Sequence, residues 1–596
     1  MQPYLRRVGV EISLVVLALS GSSAFAKGVE PRVETLDNGL KVLMVERHEQ
    51  PMVAAGVFYD VGGVNDPHGK SGIAHLFEHM LFKGSKIIGT TDYEAEKTYI
   101  EQIEKLRIKM NEEMNRMRVM KRRGEISDVL DPKQWTPEYT AMKKQEDELV
   151  TAQRQYIKNN EFFNLYTTNG GAGLNAGTAE DITFYFVQLP TNKLELFFWL
   201  ESDRMTGGIM REFYVERDNV REERRLRTDS TPTGKLDESF EALFWQAHPY
   251  GVPVLGWASE VESISAQDVR DFYKVHYAPN NAVLVLVGDF QSDKALALAK
   301  KYFGRLSRAP SEPDPLITEE PRPLGVRRLD AEAETNPRVM VRFHSVAMAH
   351  KDEPALDVLA GLLNGKAGRL YKRLVTKDDM VIGVPRGENS AQQYAGYFEI
   401  GATVKEGRDP QEVERIVVEE LTKLHDGEIT DRELQKVKNQ VLAGSVRRLQ
   451  SNFGLMLQLG MFETFVNWQY LNESPERIQK VTTDEVRAVA RKYIDPKTRT
   501  VAIYRTKQAA SGGSEDAELL ALIGALPPER QSQAKKAMAE IEQATDPAPL
   551  KMMKQQIEQA LGGGQVPQER RAVWELVVKR AEEKISQLEA GNKEKK

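Results

Sequence analysis

The stretch "SGIAHLFEHMLFKGS", residues 71 to 85, decides how the rest of the chain is read. It holds two of the nine histidines, His75 and His79, with Glu78 beside the second. Around them stand Ile73, Leu76, Phe77, Met80, Leu81 and Phe82, a pattern that predicts a helix laid against a core. On a helix, positions i and i+4 share a face about one turn apart, so the two imidazoles can present ring nitrogens to one point. Burying three polar side chains unpaired is costly, and a metal ion removes that cost. Two imidazoles at this spacing make a zinc chelate that still needs at least a third protein ligand. With zinc in place, Glu78 stands to take a proton from water that the ion acidifies, which is the chemistry of amide hydrolysis. The bare pentapeptide also fits hydrogen-bonded core residues; the apolar flanks favour the metal.

Outward from this helix the pattern alternates. Residues 33–61 read as strands, with an Asn-Gly turn in "LDNGLKVLMVE" and a Gly-Gly end to "MVAAGVFYDVGG". Beyond the helix, Ile103, Leu106, Met110, Met114 and Met117 recur three or four apart among Glu, Lys and Arg. With a second helical run near 138–158, they form a charged helical hairpin over about 94–160. A run this charged is expected to be a solvated insertion with only local packing, in preference to a gate or docking arm. Residues 162–190 are expected to return to extended structure around a glycine cluster, and "NNAVLVLVGDF" reads as a buried strand. A proline-rich linker, 309–325, precedes a second half, 326–506, that repeats the alternation. Aligning Lys83-Gly84 with Asn364-Gly365 sets His75, Glu78 and His79 opposite Leu356, Leu359 and Ala360. The expected fold class is therefore α+β. It comprises two homologous α/β-sandwich-type domains, each a mixed or antiparallel sheet with helices on one face. Residues 27–308 form the chemical half and 326–506 the silent one. A helical extension, 507–596, follows the "SGGS" at 511–514.

The chain's 596 residues exceed what one core can hold, and a hydrophobic content of 41% suffices for several. A net charge of −6 without a concentrated basic region argues against a nucleic-acid partner. "MQPYLRR", a short apolar stretch broken by Glu11, and "SSAFA" predict a signal peptide over residues 1–26, and hence export to a periplasm or beyond. An uncleaved anchor is the competing reading. No second long apolar run follows, so no transmembrane span is expected in the mature chain. The absence of cysteine is consistent with export and excludes disulfides.

The motifs then converge on one family. "LDNGLKVLMVE", "VGGVNDPHGKSGIAHLFEHMLFKGS", "NAGTAEDITFYFVQLP", "LFFWLESDRM", "ERDNVREE", "HPYGVPVLG" and "YAPNNAVLVLVGDF" occur in an order that resembles the pitrilysin/insulinase-like metallopeptidases, which include the mitochondrial processing peptidase. His-x-x-Glu-His is the inverzincin signature. The resemblance covers most of residues 33–290, is looser in the second half, and leaves out the hairpin and the tail. It implies a third zinc ligand on a later helix, preceded seven residues earlier by another acid. "ERDNVREE" supplies Glu223 as that ligand and Glu216 as the acid that orients the site, with Glu222 as the competing choice off that face. The resemblance also implies one zinc per chain and half of a two-part chamber. Peptide substrates would add to a strand near Asn175 and Ala176. His248 reads as a turn residue and not a ligand.

One departure stands out. The family's silent half carries an arginine and, seven residues later, a tyrosine; here Val375 and Ile382 occupy those places, with Arg373 two residues off. The combined expectation is an exported zinc endopeptidase acting on short unfolded peptides. It would work as a homodimer or, better, with a related subunit that lacks the zinc motif and brings the Arg/Tyr pair. The alternative is a non-catalytic zinc-binding scaffold or peptide-binding module.

Overall fold

The computed structural model of the protein describes residues 28–507 except residue 207, and parts of 523–593, so the expected signal segment and the "SGGS" lie outside the described residues. Residues up to 506 form one compact unit and those from 507 another.

The first unit is built on two sheets. The first contains β1 (Arg32–Thr35), β2 (Lys41–Glu46), β3 (Met52–Tyr59), β4 (Ala172–Thr178), β5 (Thr183–Pro190) and β6 (Ala282–Gly288), ordered β1-β2-β6-β3-β5-β4. The second contains β7 (Arg327–Ala333), β8 (Arg338–His344), β9 (Val381–Ser390), β10 (Tyr397–Val404) and β11 (Thr500–Thr506), ordered β7-β11-β8-β10-β9. Each has one parallel pair, β2 with β6 and β7 with β11, and is otherwise antiparallel. Without β1 the two orders coincide strand for strand. In both, a helix follows the sheet's central antiparallel strand: α1 (Ile73–Met80) after β3, and the helix Glu353–Leu363 after β8.

The first sheet is apolar on both faces, because its strands are continuous hydrophobic runs such as "AVLVLVG". Val42, Met44, Val57, Leu284 and Leu286 face the first half's own helices. Leu43, Ala54, Phe58, Val283, Val285 and Val287 face the other way, where the helix Asn452–Phe465 of the second half covers them with Leu455, Met456 and Leu459. Gly460 permits that approach, since a Cβ there would run into the Phe58 ring. The exchange is reciprocal. Helix α7 (Gly234–Phe244) of the first half lays Leu236 and Phe240 on Leu329, Met340, Ala502 and Tyr504 of the second sheet. Arg342 of β8 fastens it, donating to Glu241 at 2.6 Å and stacking on the Tyr397 ring at 3.9 Å. So each half's own helices lie on one face as expected, but the opposite face is closed by the other half.

Residues 27–308 expressed alone should therefore self-associate. A Val, Leu or Phe left in water forfeits about 1.5–3 kcal/mol, and several together rival the about 5–15 kcal/mol that holds a domain folded. Size-exclusion chromatography with an apolar dye reads this directly; a monodisperse, dye-negative fragment would contradict it.

Two local expectations need correction. Residues Glu161–Thr167 form a helix, α4, where extended structure was expected. Phe162 and Tyr166 at i,i+4 both enter the core, and that outweighs the glycines that follow. The charged hairpin, α2 (Tyr93–Arg122) and α3 (Pro137–Gln153), does more than pack locally. Its charges include fully buried groups, among them Glu96 and Glu146, which pair with Arg211 and Arg107. In the second unit, Ile541, Leu550, Val573 and Val577 are buried together, the last three on the helices Pro547–Gly562 and Gln568–Lys593.

Candidate metal centre

Helix α1 is fixed at its N-terminus by Asp66, whose carboxylate accepts from the Gly72 N–H at 2.6 Å and the Ala74 N–H at 3.1 Å. Gly72 sits at φ +87°, a backbone position that suits only glycine. Asp66→Ala strands two N–H groups that the helix cannot satisfy itself and should cost about 1–2 kcal/mol. A shift in denaturant midpoint at unchanged m-value checks it; an unchanged midpoint contradicts it.

The face of α1 that does not enter the core carries His75, Glu78 and His79. Opposite lies α6 (Phe213–Arg224), anchored by Arg217 to Glu262 at 3.1 Å and by Arg224 to the Gly256 carbonyl at 2.7 Å. Anchored so, α6 turns Glu216 and Glu223 toward α1. Glu223 Oε2 lies 3.2 Å from His79 Nε2 and 3.7 Å from His75 Nε2. Ligand atoms of the three residues all lie within 4.8 Å of one another. Zinc bonds of about 2.0–2.2 Å in a tetrahedron separate adjacent donors by about 3.3–3.6 Å, so the set fits the ion. Glu222, the competing ligand, is exposed and paired with Arg225 at 2.6 Å.

The electrostatics suit the same use. Burial, helped by the His79 charge, pushes His75 down to about 3, leaving a neutral imidazole. Burial also works against the charged form of His79, but contact with Glu216 and the charges of Glu78 and Glu223 outweigh it and raise its pKa. Glu216 Oε2 lies 3.6 Å from His79 Nδ1, and its Oε1 lies 2.6 Å from Lys83 Nζ. Burial alone would raise the Glu216 pKa; the contacts with His79 and Lys83 reverse this and hold it at about 2. Glu216 thus faces the outer nitrogen of His79 as an anion. Burial raises Glu78, partly offset by Thr178, whose hydroxyl donates to Glu78 Oε2 at 2.7 Å.

These groups border a cavity of ≈ 680 Å³, whose walls also include Asn175 to Thr178 of β4 and residues 157–162 after the hairpin. β4 is an edge strand, and Asn175 Oδ1 accepts from the Ala176 N–H at 2.9 Å. Three contributors were not singled out from the sequence. Lys83 lies inside the opening stretch and Thr178 inside "NAGTAEDITFYF", where spacing to the pentapeptide was the only available signal. Arg227, 2.9 Å from Glu223 Oε1, follows α6 in a widened turn that periodicity does not reveal. Elsewhere, His248 Nδ1 accepts from the Tyr250 N–H at 3.3 Å as a turn residue. Leu356, Leu359 and Ala360 are buried in the second core, where Val375 also packs, and Ile382 is exposed on edge strand β9.

With this geometry in view, two family models match the chain: "Insulinase (Peptidase family M16)" over residues 41–120 and "Peptidase M16 inactive domain" over residues 263–441. The zinc protease PqqE of Helicobacter pylori is 27% identical over 504 residues, covering 82% of this chain and 97% of that protein. A probable mitochondrial-processing peptidase subunit beta of Arabidopsis thaliana is 22% identical over 78% of this chain and 76% of its own length. The crystal structure of a protease from Helicobacter pylori superposes with a TM-score of 0.64 at 25% identity, covering 80% of this chain and 99% of that one. Duplicated sheets, matched models and zinc-protease relatives agree, and the chain belongs to the M16 peptidase family of insulinase- and pitrilysin-like proteins.

Proposed function

We propose that the chain is an exported zinc endopeptidase that hydrolyses short unfolded peptides, acting as the zinc-carrying partner of a related subunit. The observation that carries this reading is the convergence of His75, His79 and Glu223 on one point with Glu78 alongside. His75, His79 and Glu223 would hold the zinc, which when bound would supply Lewis acidity to the scissile carbonyl and lower the pKa of water toward neutrality. Glu78 accepts the water's proton. Its Oε2 is already engaged by Thr178, which leaves Oε1 for the transfer. Glu78 then returns the proton to the departing amine nitrogen. Edge strand β4 offers backbone groups to an extended peptide, a mode that selects unfolded chains.

Export rests on the signal-like residues 1–26, and no helix among the described residues is long and apolar enough to cross a membrane. A partner is supported by Val375 and Ile382, neither of which can donate a hydrogen bond to a developing oxyanion, and by a relative that is named as one subunit of a peptidase. Zinc analysis with a quenched-peptide assay, on the chain alone and mixed with a related chain lacking the histidine pair, tests both parts. Zinc-free protein, or zinc-loaded protein inert in every mixture, defeats the endopeptidase reading. Full activity of the chain alone defeats the need for a partner.

A further inference from the structure

The family match over residues 41–120 takes in most of α2 but not α3, against the expectation that the whole hairpin lies outside it. The hairpin's base meets the start of α6, the helix that carries both acids. Glu96 of α2, fully buried, binds Arg211 through Nε at 2.7 Å and Nη2 at 2.8 Å. Arg211 also donates to the carbonyls of Ser85 and Ile88, in the loop that leaves α1. Arg154, which follows α3, donates to Glu212 Oε1 at 3.0 Å, while Glu212 Oε2 receives Lys83 Nζ at 3.1 Å. Lys83 Nζ then reaches Glu216 Oε1 at 2.6 Å, and Glu216 faces His79. About three turns beyond Glu96 on α2, the Arg107 guanidinium covers the Tyr214 ring of α6 at 4.4 Å.

The backbone bears the mark of this grip. Glu212, immediately before α6, has φ +50°, and Asn160, where the chain returns from the hairpin, has φ +56°. Non-glycine residues persist in that region only when their surroundings over-determine them, and such sites cluster around function. Both residues border the zinc cavity.

We propose that the hairpin base is a positioning element for the acidic side of the zinc site, fixing where α6 begins and, through Glu212 and Lys83, aiming Glu216 at His79 and Glu223 at the ion. This rests on the zinc reading above. Among the described residues, the arm beyond the Arg107–Glu146 pair makes no hydrogen bond or ion pair to α6 and is dispensable for metal.

Zinc affinity measured on the full chain by competition with a chromophoric chelator tests the inference. Lys83→Met should weaken zinc by about 10–100-fold, the range for residues that orient metal ligands, with the apo protein's unfolding temperature unchanged. Lys83→Arg should recover most of the loss. Arg154→Ala, at a half-exposed residue, should weaken zinc by about 10-fold, the lower end of the same range. A chain shortened beyond the Arg107–Glu146 pair should bind zinc as the wild type does. Wild-type affinity in both Lys83→Met and Arg154→Ala would overturn the positioning role while leaving the zinc site standing. Failure of the unmodified chain to bind zinc would overturn the metal site and the inference together.

Discussion

Glu78→Gln should keep one zinc per chain and lose about 100- to 10,000-fold in peptide hydrolysis, the range for removing a positioned general base. Glutamine preserves the shape of the side chain and can still accept from the Thr178 hydroxyl, so the local packing survives. It cannot take a proton from water or hand one to the leaving nitrogen. His75, His79 and Glu223 do not depend on Glu78 for their mutual placement, so the metal should remain. Zinc content and single-turnover cleavage together separate the roles. A variant that retains zinc and cleaves within about tenfold of wild type would remove Glu78 from the proton transfer.

Glu223→Ala should lower zinc affinity by more than about 100-fold, beyond the range for residues that only orient ligands, while Glu222→Ala should leave it unchanged. Only Glu223 faces the two imidazoles; Glu222 is spent on Arg225 at the surface. Proton competition adds a pH signature. His75 stays neutral down to about 3, but His79 has a raised pKa, so protons compete with zinc at His79 first. Zinc affinity should therefore be highest above the His79 pKa and fall as pH drops through it, because the protonated ring has no lone pair for the metal. Isothermal titration across pH checks the sign. An affinity that rises as the solution is acidified, or equal losses in the two glutamate variants, would refute this assignment.

Much of the centre was legible because helical spacing is arithmetic. His75 and His79 one turn apart, and Glu216 and Glu223 two turns apart, need only a helix to share a face. The distance along the chain from His79 to Glu223 was bridged by resemblance, because no local pattern says that α1 and α6 meet. That the second half repeats the first was legible from alternation, but the strand order was not. The exchanged helices were not, since "NFGLMLQLGMFETF" reads only as an apolar helix and nothing in it names the sheet it will cover. The hairpin misled for a related reason. Glu96 and Arg107 look like the solvated charges around them until Arg211 and Glu146, far along the chain, arrive to neutralise them.

The crossed helices have a mechanical consequence. Swinging the two sheets apart would uncover both outer faces at once and pull Arg342 from Glu241, so residues 28–506 behave as one stiff shell. A hinge between the two sheets is then no means of widening the cavity beside α1. On the proposed function, opening and shutting that mouth then falls to the partner subunit.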